Sequence, residues 1–357
     1  HLVYTSDSYL LMIRKGSGID PVDVRGVSPD GQYLITTYSR VDTLPVSVLL
    51  DRDGRDILTL ETADPYGLPE GWQWPESVKL TAADDKTDIY GVVFRPPGFS
   101  PDKQYPVLDY SLSVRDAMHT PQGAFGNDEM MGWTYFLSAA YAALGFIVVA
   151  IDGRGTPHRG KAFLDHGYAD MSKTNDLNDR IAGLRQLAER YPYMDLDRVG
   201  ITNIDMETNA VYALLDHPDF YKVAVEHLFH EQGAKGLAME LFYDAPDDVT
   251  SGTEAEAVSR PKVRFAKDDV TSLKGKLLLI DGMLSAGTIS ETFQLVDALY
   301  KANKDFDLLL LPNLDHNLSE YSIRRGWDYL ITHLQHIEPP KEFDFKMPAM
   351  QSLLEIR

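Results

Sequence analysis

The chain has 357 residues, of which 44% are hydrophobic and 25% are charged, a composition within the range of soluble globular domains. Its formal net charge of −20 argues against nucleic acid and against anionic membranes as partners, because both are bound through concentrated Lys and Arg. The chain contains no cysteine, which excludes disulfides and thiolate metal sites. No apolar run approaches the roughly 18 to 20 residues that a membrane helix needs, so we expect no membrane insertion.

Residues 1–61 are predicted to form antiparallel strands. Short alternating runs such as Tyr33–Tyr38 and Val46–Leu50 are separated by turns at Gly31 and Gly54. The Ser-Pro-Asp-Gly turn that ends at Gly31 resembles the turn of a β-propeller blade. A propeller needs about four to eight blades of four strands each. We therefore expect residues 1–61 to be a partial propeller that cannot close by itself.

A linker rich in Pro and Gly is predicted over residues 62–75, and after it strands alternate with helices over residues 76–345. Repeated βα units predict an α/β fold with a doubly wound, mostly parallel sheet, and residues 346–357 remain as a tail. The predicted strands are Glu76–Leu80, Ile89–Arg95, Tyr105–Leu112, Phe146–Ile151, Val199–Thr202, Tyr221–Val225, Leu277–Ile280 and Phe306–Leu311. The predicted helices are Trp133–Leu144, Asp176–Tyr191, Glu207–Leu215, Ser290–Ala302 and Tyr321–His336.

Three local features of these elements have a structural interpretation. The helix near Asp176–Tyr191 is amphipathic, and Asn175 or Asp176 can cap its amino end. The segment Asp152–Thr156 has two glycines but lacks the order of a dinucleotide-binding loop, so we interpret it as scaffold. Aromatic residues at helical spacing, among them Tyr135 and Tyr141, are expected in the core.

In doubly wound sheets the active site lies at the carboxyl ends of the strands. Three such ends are expected here, at the turns that hold residues 203–207, 281–288 and 312–318. The first has the strand, turn and helix order of a nucleophile elbow, a Gly-x-Ser-x-Gly turn that presents a serine hydroxyl above the sheet.

Three runs of sequence resemble the catalytic domain of the prolyl oligopeptidase family of serine peptidases, closest to its dipeptidyl peptidase IV branch. They are Phe146–Thr156, Tyr191–Ile201 and His217–Val225. The resemblance extends from about Trp74 to Phe345 and implies an α/β-hydrolase fold, while the amino-terminal strands are similar to the last blade of the family's propeller. We therefore expect most of a propeller to be missing through truncation or processing.

The resemblance also bears on compartment and assembly. It allows a periplasmic or extracellular location, although the chain begins at His1 and shows no signal peptide, so the sequence leaves localisation unknown. It implies a homodimer formed through the final strand and helix. No cofactor is expected.

The family uses a serine, an aspartate and a histidine in that chain order, with a tyrosine that helps to stabilise the oxyanion. Transferred position by position, the serine falls on Asp205, the triad acid on Ser285 and the tyrosine near Leu112. The histidine is retained as His316. The resemblance therefore implies a degenerate triad.

The glycines on either side of the serine are replaced as well, by Asn203 and Glu207. Serine peptidase chemistry needs a hydroxyl nucleophile, a histidine to take its proton, an acid to orient the histidine and donors for the oxyanion. We therefore predict a catalytically inactive homologue that binds a peptide or a protein. In it Leu112, Met206 and Leu284 would fill or rebuild the pocket.

Three alternatives remain open. The chain could be an active serine-type hydrolase of the same family through an unexpected serine. Asp205 could itself act as a covalent nucleophile, with His316 as the base that activates water. In a purely structural interpretation, Asp205 is a polar cap at the start of the helix Glu207–Leu215.

Two patterns suggest a metal site, and we reject both. Several oxygen ligands and one imidazole fall at neighbouring strand ends, but their spacing matches no known metal loop; these residues are Asp205, Glu207, Asp281, Asp315 and His316. The order of His227, His230 and Glu231 matches an inverted zinc-peptidase motif, which requires one uninterrupted helix. Because these residues follow a predicted buried strand, we predict no metal.

Overall fold

The structure is a computed structural model that describes residues 26–65, 68–111, 118–125, 129–168, 176–205, 209–228, 265–284, 288–314 and 319–343. The chain divides into two compact units. Unit 1 comprises His1–Lys79, Tyr90–Ser100 and His119–Ile151. Unit 2 comprises Leu80–Ile89, Pro101–Met118 and Asp152–Arg357.

The strands of the described ranges are β1 (Tyr33–Arg40), β2 (Thr43–Asp51), β3 (Asp56–Thr62), β4 (Glu76–Thr81), β5 (Asp88–Phe94), β6 (Tyr105–Ser111), β7 (Ile147–Asp152), β8 (Met194–Asp205), β9 (Val223–Leu228), β10 (Lys276–Gly282) and β11 (Asp307–Leu311). The α-helices are α1 (Glu129–Ala143), α2 (Lys161–Tyr168), α3 (Leu177–Arg190), α4 (Asn209–Asp216), α5 (Thr288–Lys301) and α6 (Glu320–Leu330). A short 3-10 helix covers Ala266–Asp268, and a π-helical turn, Ile331–Gln335, continues α6.

Unit 1 begins with a three-stranded antiparallel sheet in the order β1-β2-β3. The turn between β2 and β3 is closed by Asp51, whose Oδ1 accepts hydrogen bonds from the amides of Asp53 and Arg55, each at 2.9 Å. Gly54 has a φ of +79°, which a residue with a Cβ adopts only at a cost. The predicted antiparallel strands are therefore confirmed for residues 33–62, while residues 1–25 lie outside the described ranges.

The remaining strands of unit 1 follow the order β7-β5-β4. All residues of β7 are buried, as expected for the unbroken apolar run from which this strand was predicted. Gly91 of β5 allows a close approach, because an added Cβ there would lie 2.9 Å from the carbonyl oxygen of Ala150. Tyr135 and Tyr141 of α1 are 0% and 1% exposed, which confirms them as core residues.

Unit 2 contains five neighbouring strands in the order β11-β10-β9-β8-β6, and every neighbouring pair is parallel. Three of these strands are longer than predicted: β8, β9, and β10, which was predicted at Leu277–Ile280 and covers Lys276–Gly282. The strand predicted at Val199–Thr202 is part of β8, which runs from Met194 to Asp205, and the strand predicted at Tyr221–Val225 continues as β9 to Leu228. Parallel strands alternating with helices confirm the predicted α/β class.

The prediction for the amino end of α3 is wrong in one respect. Asp176 does occupy the N-cap position, but its side chain makes no capping hydrogen bond. Its Oδ2 accepts instead from the amide of Gly153, at 3.0 Å, and its Oδ1 lies 3.6 Å from Nη1 of Arg180. A hydrogen bond from an amide 23 residues earlier thus takes the place of the local cap.

Within the described ranges, no helix combines the length and the apolar composition needed to cross a bilayer. Residues 229–264 and the predicted tail at 346–357 lie outside these ranges.

Candidate functional site

The carboxyl ends of three strands meet at one edge of the sheet in unit 2. Because β8, β9, β10 and β11 are consecutive parallel neighbours, the residues that close β8, β10 and β11 share this edge. They are Asp205, Gly282 and Leu311. The segments that correspond to the family's nucleophile, triad acid and histidine are all predicted from the sequence to lie at this edge.

At the first end, Asp205 is the last residue of β8 and pairs with Leu228 of β9. Helix α4 follows it in the chain, and because residues 206–208 lie outside the described ranges, the interpretation of Asp205 as a cap of this helix stays a prediction. The side chain of Asp205 and all of Met206 lie outside the described part of the chain. The side chain of Asn203, which replaces the first glycine, is fully buried.

The second end follows β10. Asp281, 3% exposed, accepts the amide hydrogen of Gly282 through Oδ1 at 2.7 Å and the hydroxyl hydrogen of Thr292 through Oδ2 at 2.5 Å. This carboxylate therefore ties the strand end to α5. Leu284 is 61% exposed, and Ser285 lies outside the described residues.

The third end follows β11. The carbonyl oxygen of Leu314 accepts a hydrogen bond from the amide of Leu284 at 2.9 Å, so the turns after β10 and β11 are joined. Beyond it, α6 is capped by Ser319, whose Oγ accepts from the amide of Ser322 at 3.0 Å. His316 falls between these points, outside the described residues, as does Leu112 after β6.

A buried glutamate beside the first end was not singled out from the sequence. Glu226 of β9 is 0% exposed and pairs with Asn203 of β8. Its Oε2 accepts hydrogen bonds from the amides of Ala210 and Val211 in the first turn of α4, at 2.9 and 3.4 Å. The available signal was a charged residue directly after an apolar strand that follows the elbow.

A second buried polar cluster joins α3 to the sheet of unit 2. Arg180 of α3 is fully buried, with Nη2 2.7 Å from Oδ1 of Asp109 on β6. Oδ2 of Asp109 accepts the hydroxyl hydrogen of Tyr221 at 2.6 Å. Burial, followed by the charge of Asp109, raises the pKa of Tyr221 well above its ordinary value, so this phenol is a neutral donor. The cluster ties α3, β6 and the start of β9 together.

The segment Asp152–Thr156 is held by a carboxylate pair. The guanidinium of Arg154 contacts Asp179 at 2.7 and 2.9 Å and Asp84 at 2.9 Å. The amide of Arg154 also donates to Asp179, at 2.8 Å. Because the Arg154 guanidinium is bound to carboxylates of the chain itself, these contacts support the interpretation of the segment as scaffold.

His227 lies on β9, so the residues of the inverted zinc motif do not share one helix. The imidazole is 3% exposed, and burial lowers its pKa to about 4, which keeps the ring neutral at physiological pH. His230 and Glu231 lie outside the described residues. In the described ranges there is no cluster of three or more histidine and carboxylate side chains arranged to hold a metal ion.

Comparisons with known proteins agree with this architecture. Human dipeptidyl peptidase 8 is 28% identical over 291 residues, which cover 78% of this chain and 29% of that protein. The mouse protein of the same name is 27% identical over the same length. The chain thus spans less than a third of the length of these relatives.

The crystal structure of dipeptidyl peptidase 4 from Porphyromonas gingivalis shares the fold. It aligns with a TM-score of 0.64 and 21% identity over 86% of this chain and 43% of that chain. The fold is therefore that of an α/β-hydrolase, preceded by a β-propeller-like antiparallel segment.

The decisive comparison is with a family model. The model described as the prolyl oligopeptidase family matches residues 133–336, which hold β7 to β11 and all three strand ends of the candidate site. Since this span is more than half of the chain and contains the segments that carried the resemblance, the chain belongs to the prolyl oligopeptidase family.

Proposed function

We propose that this chain is a non-catalytic member of the prolyl oligopeptidase family that binds a peptide or a protein. The proposal is carried by the identity of one residue. In the family a serine nucleophile stands at the end of this strand, and in this chain that position is an aspartate, Asp205. The dipeptidyl peptidases to which the chain is similar act on peptides by name, which supports a peptide as the class of ligand.

The chemistry explains why one residue matters so much. A serine hydroxyl attacks the carbonyl and becomes an ester, while histidine carries the proton and an acid orients the histidine. In a serine peptidase, loss of the nucleophile alone lowers the rate by about 10⁶-fold. Here Ser285 replaces the orienting acid and Leu112 the oxyanion tyrosine as well, so only His316 remains of the four groups.

An apolar pair supports a binding role for the edge. Met283 and Leu284, directly after β10, are 48% and 61% exposed. Together with Leu112 and Met206 they would offer apolar contacts to a peptide in place of reactive groups. We propose further that the chain forms a homodimer, and that residues 1–61, 62–75, 76–345 and 346–357 are its partial propeller, linker, hydrolase domain and tail.

Labelling with a fluorophosphonate probe tests the absence of serine chemistry. The 357-residue chain, native and urea-unfolded, would be incubated with the probe beside human dipeptidyl peptidase 8, and intact masses recorded. We expect an adduct on the human enzyme and none on this chain. A single adduct on the native chain that disappears on unfolding would establish an active serine and refute the proposal.

Measurement of the intact mass also tests the alternative in which Asp205 is the nucleophile. Attack of the Asp205 carboxylate would form an alkyl ester with a haloalkane, releasing halide, a hydroxyalkyl ester that carries the whole mass of an epoxide, or an acyl anhydride with an ester, releasing its alcohol. None of these adducts would form in Asp205→Asn. We expect neither an adduct nor turnover. An adduct that depends on Asp205 would replace the proposal by a hydrolase.

Peptide binding is tested separately by isothermal titration with a set of tetrapeptides that have free amino ends. We expect Leu284→Asp to weaken binding by about tenfold or more, because it places a charge in the apolar pair. Leu164→Asp is the matched control, since Leu164 is 38% exposed on α2 and lies outside the proposed site. Equal effects of the two substitutions would refute the role of Leu284.

A further inference from the structure

The last residue of β4, Thr81, directs its backbone amide and carbonyl away from β5. The neighbouring amide of Ala82 donates to the carbonyl oxygen of Thr87, which directly precedes β5, at 2.8 Å. Because the hydrogen-bonding groups of consecutive strand residues point to opposite sides, those of Thr81 and Ala83 face outward. Among the described strands, β4 is the last in its sheet on this side. Outward groups of such a strand are a template for pairing with another chain.

Helix α3 supplies partners for these outward groups through two side chains. Oε1 of Gln186 accepts from the amide of Thr81 at 3.0 Å, and Nε2 of the same side chain donates to the carbonyl oxygen of Thr81 at 2.7 Å. Oδ1 of Asp179 accepts from the amide of Ala83 at 2.9 Å. Asp179 and Gln186 are seven positions apart in one helix, about two turns, so they lie on the same face.

The amide of Gln186 is suited to this contact because it both donates and accepts, as a peptide group does in a sheet. Its Nε2 also donates to the carbonyl oxygen of Ala182, at 3.1 Å, one turn earlier in α3. Nε2 therefore faces two carbonyl oxygens while Oε1 faces an amide, and this arrangement fixes the orientation of the side-chain amide. The pairing with Thr81 thus has the polarity of a bond between two strands.

We propose that Gln186 and Asp179 act as a surrogate strand. They occupy the outward hydrogen-bonding groups of Thr81 and Ala83, and they keep this edge of the sheet from pairing with a second copy of the chain. The second copy is the partner at issue because it presents the same edge, and two such edges can pair about a two-fold axis. The inference is independent of catalysis and of peptide binding.

Amide hydrogen exchange, resolved by residue, tests the contact between α3 and the strand. Gln186→Met keeps the length of the side chain and removes both polar groups. In this variant we expect the amide of Thr81 to exchange at least about tenfold faster than in the parent chain. The amide of Ala83 should change much less, because its acceptor, Asp179, is intact.

Two further variants keep the exchange measurement decisive. Glu189→Met is the matched control, because Glu189 is exposed on the same helix, and it should leave the exchange of Thr81 unchanged. Gln186→Glu retains an acceptor for the amide of Thr81 and should keep most of its protection at pH 7. Parent-like exchange of Thr81 in Gln186→Met, or an equal acceleration of the amide of Leu279 in β10, would overturn the contact.

Sedimentation velocity over a range of chain concentrations tests the protective role. We expect Gln186→Met to self-associate at a concentration at least about threefold lower than the parent chain, since its strand edge is open. Glu189→Met should behave as the parent chain, which separates an open edge from the effect of an added surface methionine. Faster exchange of Thr81 without any change in self-association would overturn the protective role.

Discussion

Replacement of Arg180 by methionine removes a cation that contacts two buried carboxylates, those of Asp109 and Asp176. Arg180 and Asp109 are both 0% exposed, and Asp176 is 2% exposed. Methionine keeps the length and most of the volume of the side chain but removes the positive charge that faces Asp109 and Asp176. Breaking a buried ion pair in this way typically costs about 3 to 5 kcal/mol, a large share of the roughly 5 to 15 kcal/mol that stabilise a domain.

Urea unfolding measures this cost. We expect Arg180→Met to lower the unfolding midpoint with little change in the slope, since the surface exposed on unfolding is similar. Arg185→Met is the matched control: it lies on the same helix, is exposed, and contacts the ring of Phe220 at 5.5 Å, so we expect a loss below about 1 kcal/mol.

A double-mutant cycle identifies the mechanism. Asp109→Asn combined with Arg180→Met should be less destabilising than the sum of the single changes by about 1 to 3 kcal/mol, because the double variant removes an uncompensated charge. Equal losses of unfolding free energy in Arg180→Met and Arg185→Met would refute the role assigned to the cluster. Losses of the two single variants that add exactly in the double variant would refute it as well.

Four further outcomes are expected. The pKa of His227 is about 4 in the folded chain and about 6.5 when unfolded, so the unfolded state binds more protons between these values. The stability that His227 contributes is therefore present above pH 6.5 and falls by about 2 kcal/mol between pH 7 and 5. Urea unfolding at both pH values should show this loss in the parent chain and not in His227→Leu. Gly153→Ala should cost about 1 to 3 kcal/mol in urea unfolding, because its Cβ would collide with the side chain of Asp176, and a parent-like midpoint would contradict the close approach. Tyr135→Phe should cost about 1 kcal/mol in thermal unfolding through the lost hydrogen bond to the carbonyl oxygen of Val41, 3.2 Å away, whereas an unchanged Tm would show that this bond contributes nothing. Asp205→Ser should remain unlabelled by fluorophosphonate, because Asn203, Glu207 and Ser285 are unchanged; labelling of this variant would show that the rest of the machinery is intact.

The sequence predicted the framework well because the framework depends on apolar runs. The run that begins at Phe146 is β7, buried along its whole length, and the strands and helices that were predicted after it occur in the predicted order. The short helix α2 was not predicted, since Gly167 and several polar residues weaken its apolar pattern.

The polar contacts were less predictable, because their partners are distant in the chain. Asp176 was expected to cap its own helix, yet its carboxylate accepts from Gly153, 23 residues earlier. The strand predicted to end at Val225 continues through Glu226, whose buried carboxylate accepts from a backbone amide of α4 instead of facing solvent. Apolar periodicity carries no information about such pairings, so neither Glu226 nor the Arg180 cluster could be assigned a role from sequence.

The central claim is that the elbow no longer presents a nucleophile to the retained histidine. A crystal structure that resolves the Asp205 carboxylate and the His316 imidazole tests it most directly. We expect these groups to lie beyond the roughly 2.6 to 3.2 Å of a hydrogen bond, with apolar side chains lining the space at the strand ends. An Asp205 carboxylate bonded to His316, with a second carboxylate orienting the imidazole beside an open peptide-sized cleft, would contradict the claim.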